Sequence, residues 1–340
     1  MMAGNDNFYK LAKNSKKILV VDLGFLGDTV HLLPALWMIR QACPKARLEV
    51  IVSDHIKGLL ALAPWIDEVH GYPRFPKGPK WYQDLGRVRQ LRKSGYTAVI
   101  NLNGSDRSTL LSRTTGAPLR LVRVPQRKKW YWKYLVTHSV EVPYETMPVY
   151  EQRCECLKRA GFPEIEPRFE ISIPQEATQS IEERLGELEH FVHVSPFTTE
   201  DFRELPLDLM ADLLNALGKQ YSYVLSCAPN ERECGKLEKL LLKLQVLPAK
   251  VFAGDLDLIE LTALIKKSDL HLGGDSGALH LALMAGVPTF SWFKTFKGNA
   301  NWMPVGERHR SVIGQISPEG LQGISLDTVR GALKELDFAI

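Results

Sequence analysis

The sequence of 340 residues contains no long hydrophobic run. No uninterrupted apolar stretch approaches the roughly 18–20 residues that a membrane-spanning helix needs. Residues 1–17 are polar and carry no apolar segment ahead of a small-residue cleavage site, so no signal peptide is expected. We therefore expect a soluble cytoplasmic protein that touches a membrane at most peripherally.

Cysteine is scarce, and its five residues are scattered and odd in number: Cys43, Cys154, Cys156, Cys227 and Cys234. Such a set does not make a disulfide framework and indicates a reducing compartment. Cys154-x-Cys156 has no second pair of Cys or His at metal spacing, whereas structural zinc needs four ligands. The sequence therefore predicts no metal site.

A large charge of one sign is also lacking, since 43 Lys and Arg stand against 39 Asp and Glu and the net charge is +4. This excess does not require a nucleic-acid partner, and it is compatible with small anionic substrates or an anionic membrane surface. The 45% hydrophobic and 24% charged residues are typical of a globular protein. The length predicts two domains.

The glycine-rich motifs of nucleotide cofactors are absent. Residues 24–28 (GFLGD) follow a strand predicted over 17–22, but the glycine spacing is not G-x-G-x-x-G and no acidic residue ends the second strand. The phosphate-binding motif G-x-x-x-x-G-K-[ST] does not occur either. We expect no cofactor, and we expect Gly24 and Gly27 to let the backbone turn tightly.

Two series of alternating strands and helices are present. The first begins with strands over 17–22 and 47–52 and a helix over 29–44; the second runs from about 191 to 292. The polar, Pro-containing segment 161–179 connects them. The pattern predicts an α/β protein with two doubly wound lobes, 1–170 and 171–340, facing a central cleft, with ligands at the carboxyl ends of the strands.

Asp28 lies where the first glycine-rich turn enters a helix. It would act either as a helix cap or as a general base directed into the cleft. A helix N-terminus keeps an aspartate ionised, so the two roles are compatible.

Residues 273–280 (GGDSGALH) form a second glycine-rich turn before a helix, where Ser276 and Gly277 would donate to an anion such as a diphosphate. Asp275 would cap the helix or accept a sugar hydroxyl. His280 would contact the ligand or hydrogen-bond inside the core. A plain strand-to-helix turn is the alternative for the whole segment.

Two further segments follow strands of the second series. In residues 195–206, Thr198, Thr199 and Arg203 suit phosphate binding, although Arg203 could instead pair with a neighbouring glutamate. In residues 227–233, Glu231 or Glu233 would accept from ribose hydroxyls, or would only stabilise a helix N-terminus.

Residues 120–133 (RLVRVPQRKKWYWK) interleave cations with aromatic side chains. This composition suits stacking on nucleic-acid bases, an anionic sugar or an anionic membrane surface, and equally a solvated loop.

Three segments together resemble glycosyltransferase family 9, the ADP-heptose:lipopolysaccharide heptosyltransferases. These segments are residues 20–52 (VVDLGFLGDTVHLLPALWMIRQACPKARLEVIV), 198–206 (TTEDFRELP) and 273–293 (GGDSGALHLALMAGVPTFSWF). The likeness spans roughly residues 17–306. It implies the GT-B fold of two Rossmann-like lobes, with the last helix a candidate to cross back to the first lobe. It also implies inverting, metal-independent transfer of heptose from ADP-heptose to an anionic lipopolysaccharide inner-core acceptor at the inner membrane.

Residue roles follow position by position from the resemblance. Asp28 matches the base and Arg203 the diphosphate-assisting cation. The donor segment matches Thr198, Thr199, Asp275, Ser276, Gly277 and His280, with Glu231 near the ribose-binding acid. We expect the acceptor at Arg120, Arg127 and Lys128, in the first lobe, and no nucleic acid.

Two departures from the family pattern lie near the donor: Leu205 replaces the usual Trp, and residues 292–295 (WFKT) replace a Gly-Pro-Thr-like turn. A family-9 transferase with another nucleotide-sugar or acceptor is therefore an alternative. A non-catalytic protein that binds sugar nucleotides or polyanions is the alternative of another class.

Overall fold

The structure, a computed structural model, describes residues 7–73, 85–124, 131–143 and 147–340, with only the backbone of Lys133 and Ala300. The chain divides into two compact units, Met1–Ser172 (unit 1) and Ile173–Ile340 (unit 2). The division falls two residues beyond the predicted boundary. None of the helices in these described ranges is long and apolar enough to cross a membrane.

Unit 1 is built on a parallel sheet. In its described residues the sheet has six strands in the order β3-β2-β1-β4-β5-β6. The strands are β1 (Lys17–Val21), β2 (Arg47–Ser53), β3 (Glu68–Tyr72), β4 (Ala98–Asn101), β5 (Leu119–Arg123) and β6 (His138–Val140). The helices are α1 (Phe8–Ala12), α2 (Leu26–Val30), α3 (Leu33–Ala42), α4 (Lys57–Leu60), α5 (Leu85–Lys93), α6 (Asp106–Thr114), α7 (Trp132–Leu135) and α8 (Val149–Arg159).

The helix predicted over 29–44 is divided in two, which corrects the sequence prediction. α2 ends at Val30 and α3 begins at Leu33, with Pro34 in the first turn of α3. Proline has no N–H to donate to the preceding turn, so it fits a helix start and interrupts a helix interior. The break leaves α2 as a short helix that carries Asp28.

Unit 2 has the same architecture as unit 1, with one additional strand that is antiparallel to its neighbour. Its described residues form a seven-stranded sheet in the order β13-β12-β11-β10-β7-β8-β9, parallel except for the β12–β13 pair. The strands are β7 (Val192–Ser195), β8 (Tyr223–Cys227), β9 (Lys250–Ala253), β10 (Leu270–Gly274), β11 (Thr289–Lys294), β12 (His309–Ser317) and β13 (Gly320–Gln322). The helices are α9 (Gln175–Leu185), α10 (Leu207–Gly218), α11 (Glu231–Leu241), α12 (Leu258–Lys267), α13 (Gly277–Met284), α14 (Asn299–Trp302) and α15 (Leu326–Lys334).

The last helix, α15, packs inside unit 2. Val329 and Leu333 of α15 are fully buried in the same core as Leu213 and Leu217 of α10. An amphipathic helix settles where its apolar stripe is removed from water, and here the face of β12 and α10 provides that surface.

The predicted α/β class with two doubly wound parallel sheets is confirmed. The central strands are buried on both faces, as parallel sheets covered by helices require. The strand order reverses between β1 and β4 in unit 1, and between β7 and β10 in unit 2. Ligands of such sheets bind beyond the carboxyl ends of the strands at this switch point. Three of the motifs predicted from sequence, at 24–28, 195–206 and 273–280, follow β1, β7 and β10 and so lie at these two positions.

Candidate functional site

Asp28 lies in the first turn of α2, just beyond the carboxyl end of β1. One carboxylate oxygen, Oδ2, accepts a hydrogen bond from the N–H of Phe25 at 2.9 Å. A Cβ on Gly24 would fall 2.1 Å from the Cβ of Asp28, so this position requires glycine. Gly27, in contrast, lies within α2 and not in the turn. Asp28 therefore does bond to the helix start, while its side chain keeps 23% exposure.

A buried arginine contacts the other oxygen of Asp28. Nη2 of Arg153, on α8, lies 3.3 Å from Oδ1 of Asp28 and donates to Oδ2 of Asp22 at 2.7 Å. Asp22 is fully buried, and its Oδ1 accepts the N–H of Gly24 at 2.9 Å. Desolvation raises the pKa of Asp22, and the charge of Arg153 opposes that shift. Removing Arg153 would leave a buried carboxylate uncompensated, at a cost of about 3–5 kcal/mol.

Sequence reasoning missed both Asp22 and Arg153. The sequence marks Asp22 only as the end of a strand, and Arg153 is 131 residues from it along the chain. A buried arginine needs a carboxylate partner, but nothing local in the sequence of α8 indicates which one.

The basic segment 120–133 is only partly described. The guanidinium of Arg120 donates to the main-chain oxygens of Leu135 at 2.9 Å and Ala117 at 2.6 Å, and burial lowers its pKa. These contacts tie β5 to the last residue of α7 and to the turn that precedes β5. Arg127 and Lys128 lie outside the described residues, so the acceptor site there stays a prediction.

Arg203 of unit 2 pairs with Asp275 and not with the neighbouring glutamates that the sequence offered. Its Nη1 lies 3.5 Å from Oδ2 of Asp275, and its buried Nε has no partner among the described residues. The pair joins the segment after β7 to the segment after β10. Asp275 does not cap α13, whose N-cap residue is Ser276.

The start of α13 offers hydrogen-bond donors at the switch point of unit 2. The Oγ of Ser276 is buried and has no partner within the described chain. The first N–H groups of a helix, here including that of Gly277, have no intrahelical acceptor. A Cβ on Gly274 would lie 2.7 Å from Thr198 Cγ2 and 2.8 Å from Trp292 Nε1, so glycine allows β10 to pack closely there. The turn can receive an anion.

The segment after β7 is held by an ion network. Buried Glu204 accepts the N–H of Thr198 at 2.9 Å, Arg232 at 3.1 Å and Lys236 at 2.6 Å. Thr198 Oγ1 donates to the main-chain oxygen of Glu200 at 2.9 Å. Thr198 is thus engaged within the loop, whereas the adjacent Thr199 is exposed. The network fixes the loop that carries Arg203.

The two acidic residues at the start of α11 differ in role. Glu233 is buried and accepts the N–H of Ala228 at 2.8 Å, so it stabilises the strand-to-helix turn. Glu231 is exposed at the first position of α11. His280 is buried in α13 with its ring edge-on to Trp302, at 5.4 Å between centroids.

Among the residues that depart from the family pattern, Lys294 carries a charge. Leu205 and Trp292 are buried in the core of unit 2. Lys294, at the carboxyl end of β11, holds its Nζ 5.1 Å from the ring centroid of Phe202 and 5.6 Å from that of Phe296. Arg203 Cζ lies 5.9 Å from the same Phe202 ring. Sequence reasoning did not select Lys294, because only the fold brings Phe202 beside it.

Within the described residues, one cluster has the spacing of metal ligands: Glu49, Glu68 and His70. Glu49 Oε1 already forms ion pairs with Lys17 Nζ at 2.9 Å and with Arg47 Nε at 2.7 Å. These contacts outweigh the effect of burial and help to lower the pKa of Glu49 to about 2. Two cations against one carboxylate repel a metal ion. The cluster is a structural ion network.

Comparison with known proteins places these features in context. Residues 86–319 match the family described as Glycosyltransferase family 9 (heptosyltransferase). The chain is similar to the lipopolysaccharide core heptosyltransferase OpsX of Haemophilus influenzae, with 24% identity over 279 residues, which is 82% of this chain and 79% of that protein.

Solved structures show the same fold. A glycosyl transferase family 9 protein from Veillonella parvula has a TM-score of 0.83 at 18% identity, covering 95% of this chain and 97% of that one. The Escherichia coli heptosyltransferase WaaC with ADP-2-deoxy-2-fluoro heptose has a TM-score of 0.73 at 16% identity, covering 94% and 99%. The predicted GT-B fold class is confirmed.

Proposed function

This chain belongs to glycosyltransferase family 9 (heptosyltransferase), and from that membership we propose that it transfers heptose from ADP-heptose to a lipopolysaccharide inner-core acceptor. That the chain is a glycosyltransferase follows from the family. The donor, the acceptor, inversion at the anomeric carbon and independence from metal are our proposal. The similarity to OpsX, and to WaaC with its ADP-sugar analogue, supports it.

Asp28 is the proposed base, and its geometry is the observation that carries the proposal. Both carboxylate oxygens are held, one by Phe25 N–H and the other beside Arg153, and the side chain keeps access to solvent at the switch point. Such a carboxylate can accept the proton of an acceptor hydroxyl as its oxygen attacks the anomeric carbon. The bond from that carbon to the diphosphate breaks, and the diphosphate leaves with the electron pair. General base assistance contributes roughly 10²–10⁴-fold in rate.

Arg203, Lys294 and the start of α13 are the proposed diphosphate site of unit 2. The leaving group gains negative charge as the bond breaks, and fixed cations and N–H donors stabilise that charge. Arg203 then exchanges its contact with Asp275 for one with phosphate. Thr199 and Ser276 add hydroxyl donors, and Glu231 would accept from the ribose.

The test is transfer by the purified protein. ADP-heptose and deacylated inner-core acceptor are supplied, release of ADP is measured, and mass spectrometry identifies the product. We expect Asp28→Asn to lose at least about 100-fold in kcat, and the exposed carboxyl variant Asp327→Asn on α15 to match the parent. Near-parental transfer by Asp28→Asn would refute the base.

The same assay decides the finer parts of the proposal. NMR of the product reports the anomeric configuration, and activity in EDTA reports metal independence. A panel with UDP- and GDP-sugars separates the heptose donor from another nucleotide-sugar. Salt-sensitive oligonucleotide binding without turnover would instead support the polyanion-binding alternative.

A further inference from the structure

The buried ion pair Asp22–Arg153 is not part of the proposed chemistry, but Arg153 also contacts Asp28, the proposed base. Two carboxylates share one guanidinium, so the ionised cluster carries one net negative charge. Asp28 is the only member of the cluster with substantial exposure: its side chain is 23% exposed, against 0% for Asp22 and 3% for Arg153.

From this arrangement we infer that Asp22 and Arg153 are positioning residues that orient Asp28 and preserve its strength as a base. The inference rests on the proposed role of Asp28. Arg153 holds Oδ1 of Asp28 in place, and Asp22 takes up most of the positive charge of Arg153 through the shorter contact, 2.7 Å against 3.3 Å.

The contacts of Arg153 support this role over a purely structural one. Its Nε and Nη1 are buried and have no partner among the described residues, so the two aspartates are its only partners there. Arg40, a structural arginine of the same unit, differs in this respect. Its Nε donates to the main-chain oxygen of Trp65 at 2.8 Å, its Nη1 to that of Ala46 at 2.8 Å and its Nη2 to the carboxylate of Asp67, so each of its three nitrogens has a partner.

The physical reason for the pair lies in the balance between orientation and basicity. A cation beside a carboxylate favours the ionised form, which weakens it as a base. A buried carboxylate on the far side of that cation offsets the effect, because opposite charges cancel at short range. Asp22 is also fixed by Gly24 N–H, so the cluster is anchored to the same turn that carries Asp28.

The two substitutions should therefore move the pH profile in opposite directions. Asp22→Asn leaves the charge of Arg153 facing Asp28 alone, so the acid limb of kcat/KM should move to lower pH and the plateau should fall. Arg153→Met removes the cation, so the acid limb should move to higher pH. The other titratable groups nearby remain in every variant: His31, which follows α2, and on α8 Tyr150, Glu151, Cys154, Glu155, Cys156, Lys158 and Arg159.

The controls separate positioning from folding. Arg153→Lys keeps the charge, and we expect its acid limb near that of the parent even if its rate falls. Arg40→Met should lower the melting temperature without moving the limb. Calorimetric binding of ADP checks in each variant that unit 2 is intact.

Opposite shifts in Asp22→Asn and Arg153→Met establish the inference. Acid limbs that stay within 0.2 unit of the parent, roughly the error of such a fit, would overturn it and leave the proposed function standing. If either of these two variants does not fold, the direction of the shift in the other, compared with Arg153→Lys, decides alone. Full activity of Asp28→Asn would instead refute the proposed base, and this inference with it.

Discussion

Nη1 of Arg203 lies 3.5 Å from Oδ2 of Asp275, across the two segments that follow the neighbouring strands β7 and β10. The sequence predicts that Arg203 binds phosphate and that Asp275 caps a helix or accepts a sugar hydroxyl. The structure pairs them with each other. An anion bound by Arg203 would have to compete with Asp275, so we expect this carboxylate to weaken anion binding there.

Asp275→Asn should strengthen the binding of inorganic pyrophosphate and ADP. Loss of the carboxylate removes one repulsive charge and releases Arg203, and nearby pairs of charges at partly exposed positions contribute up to about 1 kcal/mol, or roughly fivefold in Kd. Isothermal titration calorimetry at low salt measures the change. The control Asp327→Asn should bind as the parent does, and weaker binding by Asp275→Asn would show that Asp275 itself contacts the ligand.

Lys294→Met should weaken pyrophosphate and ADP binding while adenosine binding stays the same. The ammonium group rests on the rings of Phe202 and Phe296 without a carboxylate partner among the described residues, so its charge is available to an anion. We expect a loss of about three- to tenfold in Kd that shrinks as salt is raised. The exposed Lys250→Met, on β9, is the matched control. An equal loss for adenosine would indicate a damaged loop and not a lost charge contact.

The buried histidine pair of unit 2 should make the protein less stable in acid. His193 Nδ1 lies 2.8 Å from His271 Nδ1, and both side chains are fully buried on adjacent strands. Burial lowers the pKa of His193 to about 3 and that of His271 well below its usual value. In the unfolded chain both histidines bind a proton as the pH falls through about 6.5, whereas in the folded chain they stay neutral until the pH is much lower. The contribution to stability is thus complete above pH 6.5 and is lost as the pH falls from there toward 3.

Chemical denaturation followed by fluorescence at several pH values measures this effect. Each histidine should change the free energy of unfolding by about 1.4 kcal/mol per pH unit over that window. The double variant His193→Leu/His271→Leu removes both titrating groups. Its stability should depend less steeply on pH, and an unchanged slope would contradict the assignment.

The sequence predicted the structure most accurately where an element is set by residues close together along the chain. Strand, glycine turn and helix follow one another within a few residues at 17–30 and again at 270–284, and the structure has the same order at both places. An alternating or continuous apolar run can be predicted to be buried without knowing which distant residues cover it. The division of the helix at Pro34 was missed, although the proline itself was the signal.

The sequence by itself determined the α/β class, the two series of strands, and the placing of Asp28, Arg203 and Ser276 directly after strands of a parallel sheet. Only the tertiary structure decided which groups those side chains contact. Arg153 reaches Asp22 and Asp28 because α8 packs against α3, and Arg203 meets Asp275 because β7 and β10 are neighbours in the sheet. The physical reason is the distance along the chain between the interacting residues. Turns and helix starts are set by interactions between residues a few positions apart, whereas a charge selects its partner through packing that joins segments more than a hundred residues apart in unit 1.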